Sequence, residues 1–401
     1  MFIAMSRFGL NENVDRILGA PYPFDVVDGN KKKAVARFGK DFIIDFGIGD
    51  PTDPTPDVVR KACREAVDET KALGYPNALG CERFLEAVAR YMKNRFNVSL
   101  SSQEIVPTYG AKYASFHLPG YHLNPNRGEM TLVPNPGYPP YSDGTVIAGG
   151  TPHFLNILEE NNFEPDFENI PREVLKKSKM LFLNSPHSPT GKIYSREKMK
   201  EAVDLCRDNN IILISDECYA DLYYEKKPSS ILEIREAEEC SLVLNSLSKR
   251  SMMTGYAVGF LASKNQELLK PYSTIQRKSI QGVANVIQYA AAAAFTDEKH
   301  PEEMRRIYKQ RRDSLIPALE KTGCKVHKPE GTFFVWAQAP KGKTPLEFSE
   351  QLLLEKGINC VPGNLISKTQ DGVNPGEKYV RFALVPSIEK TREAVKRLEE
   401  G

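Results

Sequence analysis

The chain has 401 residues, 41% of them apolar and 26% charged, with a formal net charge of +2. It is long enough for two cored domains, and its charge gives no case for nucleic acid or an anionic membrane as main partner. No apolar window is long enough to span a membrane, residues 1–7 lack the order of a secretory signal, and seven cysteines without a Cys-x-x-Cys pair fit reduced thiols. The expectation is a cytoplasmic protein without a structural metal.

In chain order, the Gly- and Pro-rich stretch Gly47-Ile48-Gly49-Asp50-Pro51 comes first and reads as part of a bridge between domains. Between residues 104 and 261, short Val-, Ile- and Leu-rich runs alternate with helical patterns, at 104–107, 130–133, 180–183, 211–214, 242–244 and 257–261. Runs that are apolar at nearly every position predict strands buried on both faces. The expected architecture is therefore an α/β/α large domain around a mostly parallel sheet. From residue 301 the pattern changes to a long charged amphipathic helix, Gly331-Thr332-Phe333-Phe334, a helix at 346–356, a strand at 379–384 and a terminal helix. We expect a smaller α+β domain there (299–401), joined by the N-terminal segment (1–52), with the large domain over 53–298.

In open α/β sheets the site lies at the carboxyl ends of the strands, and polar residues cluster there. Thr108-Tyr109-Gly110-Ala111-Lys112 opens a helix whose free N–H groups suit a phosphate, although a plain strand-to-helix turn reads the same way. Asn135-Pro136-Gly137-Tyr138 projects an aromatic face suited to stacking on a planar heterocycle; the alternative is a core tyrosine. Asp216 follows four nearly continuous apolar residues, and a carboxylate at a buried strand end calls for a cationic partner. Tyr219 can approach the same place from the next turn. Lys249, in Ser246-Leu247-Ser248-Lys249, leaves a buried strand between small hydroxyl residues, where partial desolvation lowers an amine's pKa toward nucleophilic range. Arg381, within a strand pattern, reads either as a carboxylate clamp or as a surface ion pair.

Taken in order, Gly49-Asp50-Pro51, Tyr75 before Gly80, Gly110-Ala111-Lys112, Tyr138, Pro189-Thr190-Gly191, Asp216-Glu217-x-Tyr219, Ser246-x-Ser248-Lys249, Gly331-x-Phe333-Phe334 and Arg381 resemble the fold type I pyridoxal-phosphate aminotransferases of class I/II. The resemblance implies pyridoxal 5′-phosphate as cofactor and a homodimer. Lys249 would carry the cofactor as a Schiff base and move the substrate proton. Asp216 would pair with the pyridinium nitrogen. Tyr219 and residue 188 would contact the 3′ oxygen, and Tyr138 would stack on the ring. Gly110, Ala111, Lys112, Ser246, Ser248 and a partner's Tyr75 would hold the phosphate. Gly49 and Arg381 would bind the substrate, the latter through its α-carboxylate.

Two positions depart from that pattern. Ser188 stands where the family usually has asparagine, and Ala257, eight residues after Lys249, where it usually has the arginine that binds the phosphate. Arg250 and Lys112 are the cations in the motif that could supply the missing charge. Pro21-Tyr22-Pro23-Phe24, Asn162-Phe163-Glu164-Pro165-Asp166-Phe167 and Ser215-Asp216-Glu217-Cys218-Tyr219 are similar to the diaminopimelate branch, the N-succinyl-diaminopimelate and LL-diaminopimelate aminotransferases. That favours glutamate and 2-oxoglutarate with a diaminopimelate-type amino acid. A cysteine-sulfur lyase on the same fold, for which the Pro186-His187 step is suitable, a regulator that senses the cofactor, and a cofactor-free homologue are the other readings.

Overall fold

The computed structural model describes residues 9–19, 24–69 and 74–400. Pro21, Tyr22 and Pro23 of the Pro21-Tyr22-Pro23-Phe24 stretch lie outside them. In chain order the strands are β1 (Ile44–Asp45), β2 (Ile105–Thr108), β3 (Met130–Asn135), β4 (Thr151–Asn156), β5 (Ser178–Asn184), β6 (Ile212–Asp216), β7 (Ser241–Ser246), β8 (Gly259–Ala262), β9 (Lys325–His327), β10 (Phe334–Gln338), β11 (Ile358–Asn359), β12 (Val361–Pro362) and β13 (Tyr379–Ala383).

Seven strands form the main sheet in the order β2-β8-β7-β6-β5-β3-β4. The five from β7 to β4 run parallel, and β8 is antiparallel to both β7 and β2. Every residue of β7 and β8 is buried, as continuous apolar runs in a doubly covered sheet must be. Helices Gly110–His122 and Pro139–Ile147 pack on one face, in a core that includes Ala111, Leu118 and Tyr141. Helices Glu82–Phe96, Arg196–Asn209 and Asn285–Thr296 pack on the other, with Phe84, Met199 and Phe295. The predicted layered α/β fold is therefore present.

A second sheet, β12-β13-β10-β9, is antiparallel throughout, and β1 pairs in parallel with β11. Residues 44–45 are thus hydrogen-bonded to the C-terminal part of the chain. The 23-residue helix Lys299–Lys321 supports this region. No helix among the described residues is long and apolar enough to cross a membrane.

Two details differ from the sequence reading. β4 went unpredicted because it is an edge strand, mostly half-exposed and interrupted by Pro152 and His153. The strand expected at 257–261 begins only at Gly259. Ala257 instead closes the short turn Thr254–Tyr256 in a left-handed conformation, φ 49°. Gly259 enters the sheet where a Cβ would lie 2.1 Å from the Asn245 carbonyl oxygen, so only glycine lets β7 and β8 approach.

Candidate active site

The parallel strands end together, with Asn184 of β5 opposite Asp216 of β6 and Ser246 at the tip of β7. Asp216 is 4% exposed. Its carboxylate accepts a 2.6 Å hydrogen bond from the Tyr141 hydroxyl and one of 3.1 Å from the Cys218 N–H. Burial raises its pKa above the ordinary carboxylate value, offset only in part by the Cys218 thiol, the Tyr141 hydroxyl and the Cys218 N–H. It forms no ion pair with any described residue, so none of them supplies the cation that the sequence led us to expect. A carboxylate desolvated without a countercharge fits a group that brings its own positive nitrogen.

Tyr141 was missed in the sequence. It lies three residues after Tyr138 in the helix that begins at Pro139, and its ring stacks on Phe182 at 4.4 Å. Tyr138 meets Tyr141 edge to face at 5.7 Å. Burial and the nearby Asp216 raise the pKa of Tyr138, so its ring is neutral. Tyr219 packs against Phe333 and Phe334, and its hydroxyl makes no hydrogen bond to the described residues. Burial and the neighbouring Cys218 and Asp216 raise its pKa too.

Lys249 follows β7 in the one-turn helix Leu247–Arg250. Its ammonium donates to the Gly49 carbonyl at 2.7 Å and lies over the Phe333 ring at 5.5 Å. Burial lowers its pKa, which makes the neutral, nucleophilic amine more accessible. Two residues earlier in the chain, the Gly47 carbonyl accepts from Arg381 Nη2 at 2.8 Å. The Gly47–Gly49 segment therefore links the lysine and the arginine. Gly49 is required for close approach, since a Cβ there would come within 2.9 Å of the Phe334 ring.

Arg381, on β13, is half-buried, with its guanidinium 4.7 Å from the Phe334 ring centre and a buried Nε that has no hydrogen-bond partner among the described residues. It has no carboxylate partner among the described residues. Burial brings its pKa down to about 10, so it remains charged at neutral pH. The surface ion pair considered from sequence is thus ruled out. A half-buried guanidinium without a carboxylate partner fits an incoming one.

At the other end, Gly110 begins its helix with φ +69°, a conformation natural to glycine, and Tyr109 supplies no side-chain cap. A Cβ on Gly110 would stand 3.7 Å from Ser246 Oγ and 3.8 Å from the Ala257 carbonyl carbon. The Ser246 and Ser248 hydroxyls lie 3.0 Å apart. Gly110, Ser246 and Ala257 are therefore brought together around an uncapped helix start, a cradle suited to phosphate. Ala111 is buried behind Gly110, and Lys112 is exposed. The Ser188 N–H donates to Asn184 Oδ1 at 2.8 Å, which ties the Pro189-Thr190-Gly191 loop to β5.

Three expected participants stand elsewhere or are otherwise engaged. Tyr75 is 86% exposed. Arg250 turns into the core. His187 is fully buried between Thr190 Oγ1 at 2.8 Å and the Pro136 carbonyl at 3.1 Å. Burial pushes its pKa down to about 3, so it is a neutral structural residue.

The profile of the family described as aminotransferase class I and II matches residues 42–398. The chain belongs to this aminotransferase family. It is 35% identical over 382 residues to LL-diaminopimelate aminotransferase of Aquifex aeolicus, covering 94% of this chain and 96% of that one. It is 37% identical to LL-diaminopimelate aminotransferase 2 of Trichormus variabilis, covering 95% and 96% respectively. The fold superposes on an aminotransferase from Neisseria meningitidis with a TM-score of 0.89 and 31% identity, over 97% of this chain and 99% of that one. This aminotransferase accordingly acts in transamination, and dependence on pyridoxal phosphate comes with the family. The lyase reading gains no support from these relatives or from the buried, neutral His187.

Proposed function

We propose that the protein transfers an amino group between a diaminopimelate-type amino acid and 2-oxoglutarate, with pyridoxal 5′-phosphate seated between Asp216 and the Gly110–Ser246 cradle, and that it works as a homodimer. The observation that carries the reading is the buried Asp216 carboxylate, which has no ion pair among the described residues. The similarity to LL-diaminopimelate aminotransferases supports the substrate class.

The cofactor supplies, when bound, an aldehyde that condenses with amines and a protonated ring that accepts electron density from the substrate α-carbon. The chain does the rest. Asp216 would keep the ring nitrogen protonated, with the Tyr141 hydroxyl holding that carboxylate in place. Tyr138 would stack on the ring, and Tyr219 and Ser188 would contact its 3′ oxygen. Gly110, Ala111, Ser246 and Ser248 would bind the phosphate through backbone N–H groups and hydroxyls. Arg381 would fix the α-carboxylate with Gly49 alongside, and so aim the α-hydrogen at Lys249. The lowered pKa of Lys249 lets its amine take that proton and return it elsewhere. Tyr75, exposed on this protomer, would reach the phosphate of the partner subunit, and a two-fold pair is the smallest symmetric assembly that allows this.

The test is borohydride reduction of the cofactor-loaded protein followed by peptide mapping, then assay of amino donors with 2-oxoglutarate. Label on the Lys249 peptide and glutamate formation from LL-diaminopimelate are expected. Label on another lysine would overturn the site, and turnover confined to unrelated amino acids would overturn the substrate assignment. A fully active monomer in sedimentation would overturn the dimer.

A further inference from the structure

Residue 257 borders the proposed phosphate cradle, with its α-carbon 3.9 Å from the place of a Gly110 Cβ, and alanine brings no charge to it. Arg250, the nearest cation in sequence, is committed elsewhere. It is 4% exposed, and donates to Asp221 at 2.7 Å and to the Ala294 carbonyl at 2.6 Å. Its guanidinium also lies over the Tyr91 ring at 5.2 Å. Arg381 is held at the Gly47 carbonyl on the substrate side. Arg60 pairs with Asp57, and Arg64 acts on Tyr256 beside Cys63.

Lys112 remains. It is the third residue of the 13-residue helix whose uncapped start forms the cradle, and it is exposed without an ion pair among the described residues. Helical side chains lean toward the N-terminus of their helix, which carries the Lys112 stem back over the first turn. Its charge is already near enough to act on Lys249.

We propose that the Lys112 ammonium neutralises the cofactor phosphate in place of the side chain absent at Ala257, and that this one exposed charge sets how tightly the cofactor is retained. The inference rests on the cofactor reading above. An ammonium in water is more strongly hydrated and more screened by salt than a buried guanidinium in a bidentate pair. Retention should therefore weaken as ionic strength rises.

The experiment is titration of cofactor-stripped protein with pyridoxal phosphate and, separately, with phosphate-free pyridoxal, followed by absorbance and tyrosine and tryptophan fluorescence. Lys112→Gln should raise the Kd for pyridoxal phosphate about tenfold or more and leave that for pyridoxal unchanged. Ala257→Arg in the Lys112→Gln background should restore most of the loss, and Arg64→Gln should have no effect. An unchanged Kd in Lys112→Gln, an equal loss for both ligands, or a loss confined to Arg64→Gln would each overturn the assignment to Lys112. If the wild-type protein binds neither ligand, the cofactor reading itself falls, which is a separate outcome.

Discussion

At the ring end of the site, Asp216 is buried, aimed by the Tyr141 hydroxyl and the Cys218 N–H, and lacks only a positive partner. At the phosphate end, a glycine, an alanine and two serine hydroxyls come together with no buried charge among them. The difference teaches where each half of the work depends on the protein. Chemistry at the α-carbon needs a charge held in a dry, rigid setting, where electrostatics are strong. Anchoring needs affinity alone, and backbone N–H groups with hydroxyls can provide part of that. Substitutions at the ring end should lower kcat, and those at the phosphate end should raise the cofactor Kd.

The largest expected effect removes Arg250 from the comparison. Asp221 accepts from Arg250 at 2.7 Å, Arg95 at 3.0 Å and Tyr91 at 3.0 Å. Asp221→Asn leaves two guanidiniums without their countercharge and should cost about 3 to 5 kcal/mol in urea unfolding. Burial would raise the pKa of Asp221, but the two arginines outweigh it and hold it below the usual carboxylate range. A lowered folded-state pKa gives stability that is complete above the unfolded value and lost as pH falls through the folded one. The gap between wild type and variant should therefore close in acid. A variant of normal stability that binds pyridoxal phosphate poorly would instead place Arg250 at the cradle.

Asp216→Ala tests the ring end directly. Without the carboxylate the ring nitrogen loses its proton at neutral pH, and kcat should fall on the order of 100- to 1000-fold, about 3 to 4 kcal/mol, at saturating cofactor. A loss confined to the cofactor Kd would mean that the two ends do not divide the work as stated. Arg381→Ala should come next. It removes a charge-assisted clamp common to all amino and keto acids, worth about 2 to 3 kcal/mol, or roughly 30- to 150-fold in kcat/KM. Equal losses across substrates are expected, and a loss for one substrate alone would move the α-carboxylate elsewhere.

The sequence made much of this legible where a polar residue broke an apolar run. Asp216, Lys249 and Arg381 stand out for that reason, and the sheet follows from the same runs. Contacts across long separations were not legible. Gly47 and Gly49 could be singled out as a motif, but not that their carbonyls accept from Arg381 and Lys249. Arg250 is the sharper case. Adjacent positions on a helical turn point about 100° apart, so the neighbour of a site lysine can face the core, and only the packed partners Asp221 and Ala294 reveal it. Tyr141 was hidden because an aromatic residue inside a helix ordinarily reads as core. Here it is core and hydrogen-bond donor at once.

Tyr141→Phe gives the smallest of these effects and the finest test of the ring end. Burial and the adjacent Asp216 carboxylate hold the Tyr141 pKa well above its ordinary value, so it keeps its proton and donates a hydrogen bond to Asp216 at every working pH. Its hydrogen bond is one of the influences that lower the Asp216 pKa against burial. Deleting the hydroxyl keeps the ring and its stack on Phe182, and removes only that donor. A bond to a charged group contributes roughly 1.5 kcal/mol or somewhat less here, so kcat should fall by up to about tenfold. The direction with pH is the discriminating part. With less help, the carboxylate becomes harder to ionise, so the acid limb of the kcat profile should move to higher pH, and the variant should recover toward wild type as pH rises. A uniform loss at all pH values would show that Tyr141 acts by packing alone, and a raised cofactor Kd with kcat intact would shift it from the chemistry to the anchoring of the cofactor.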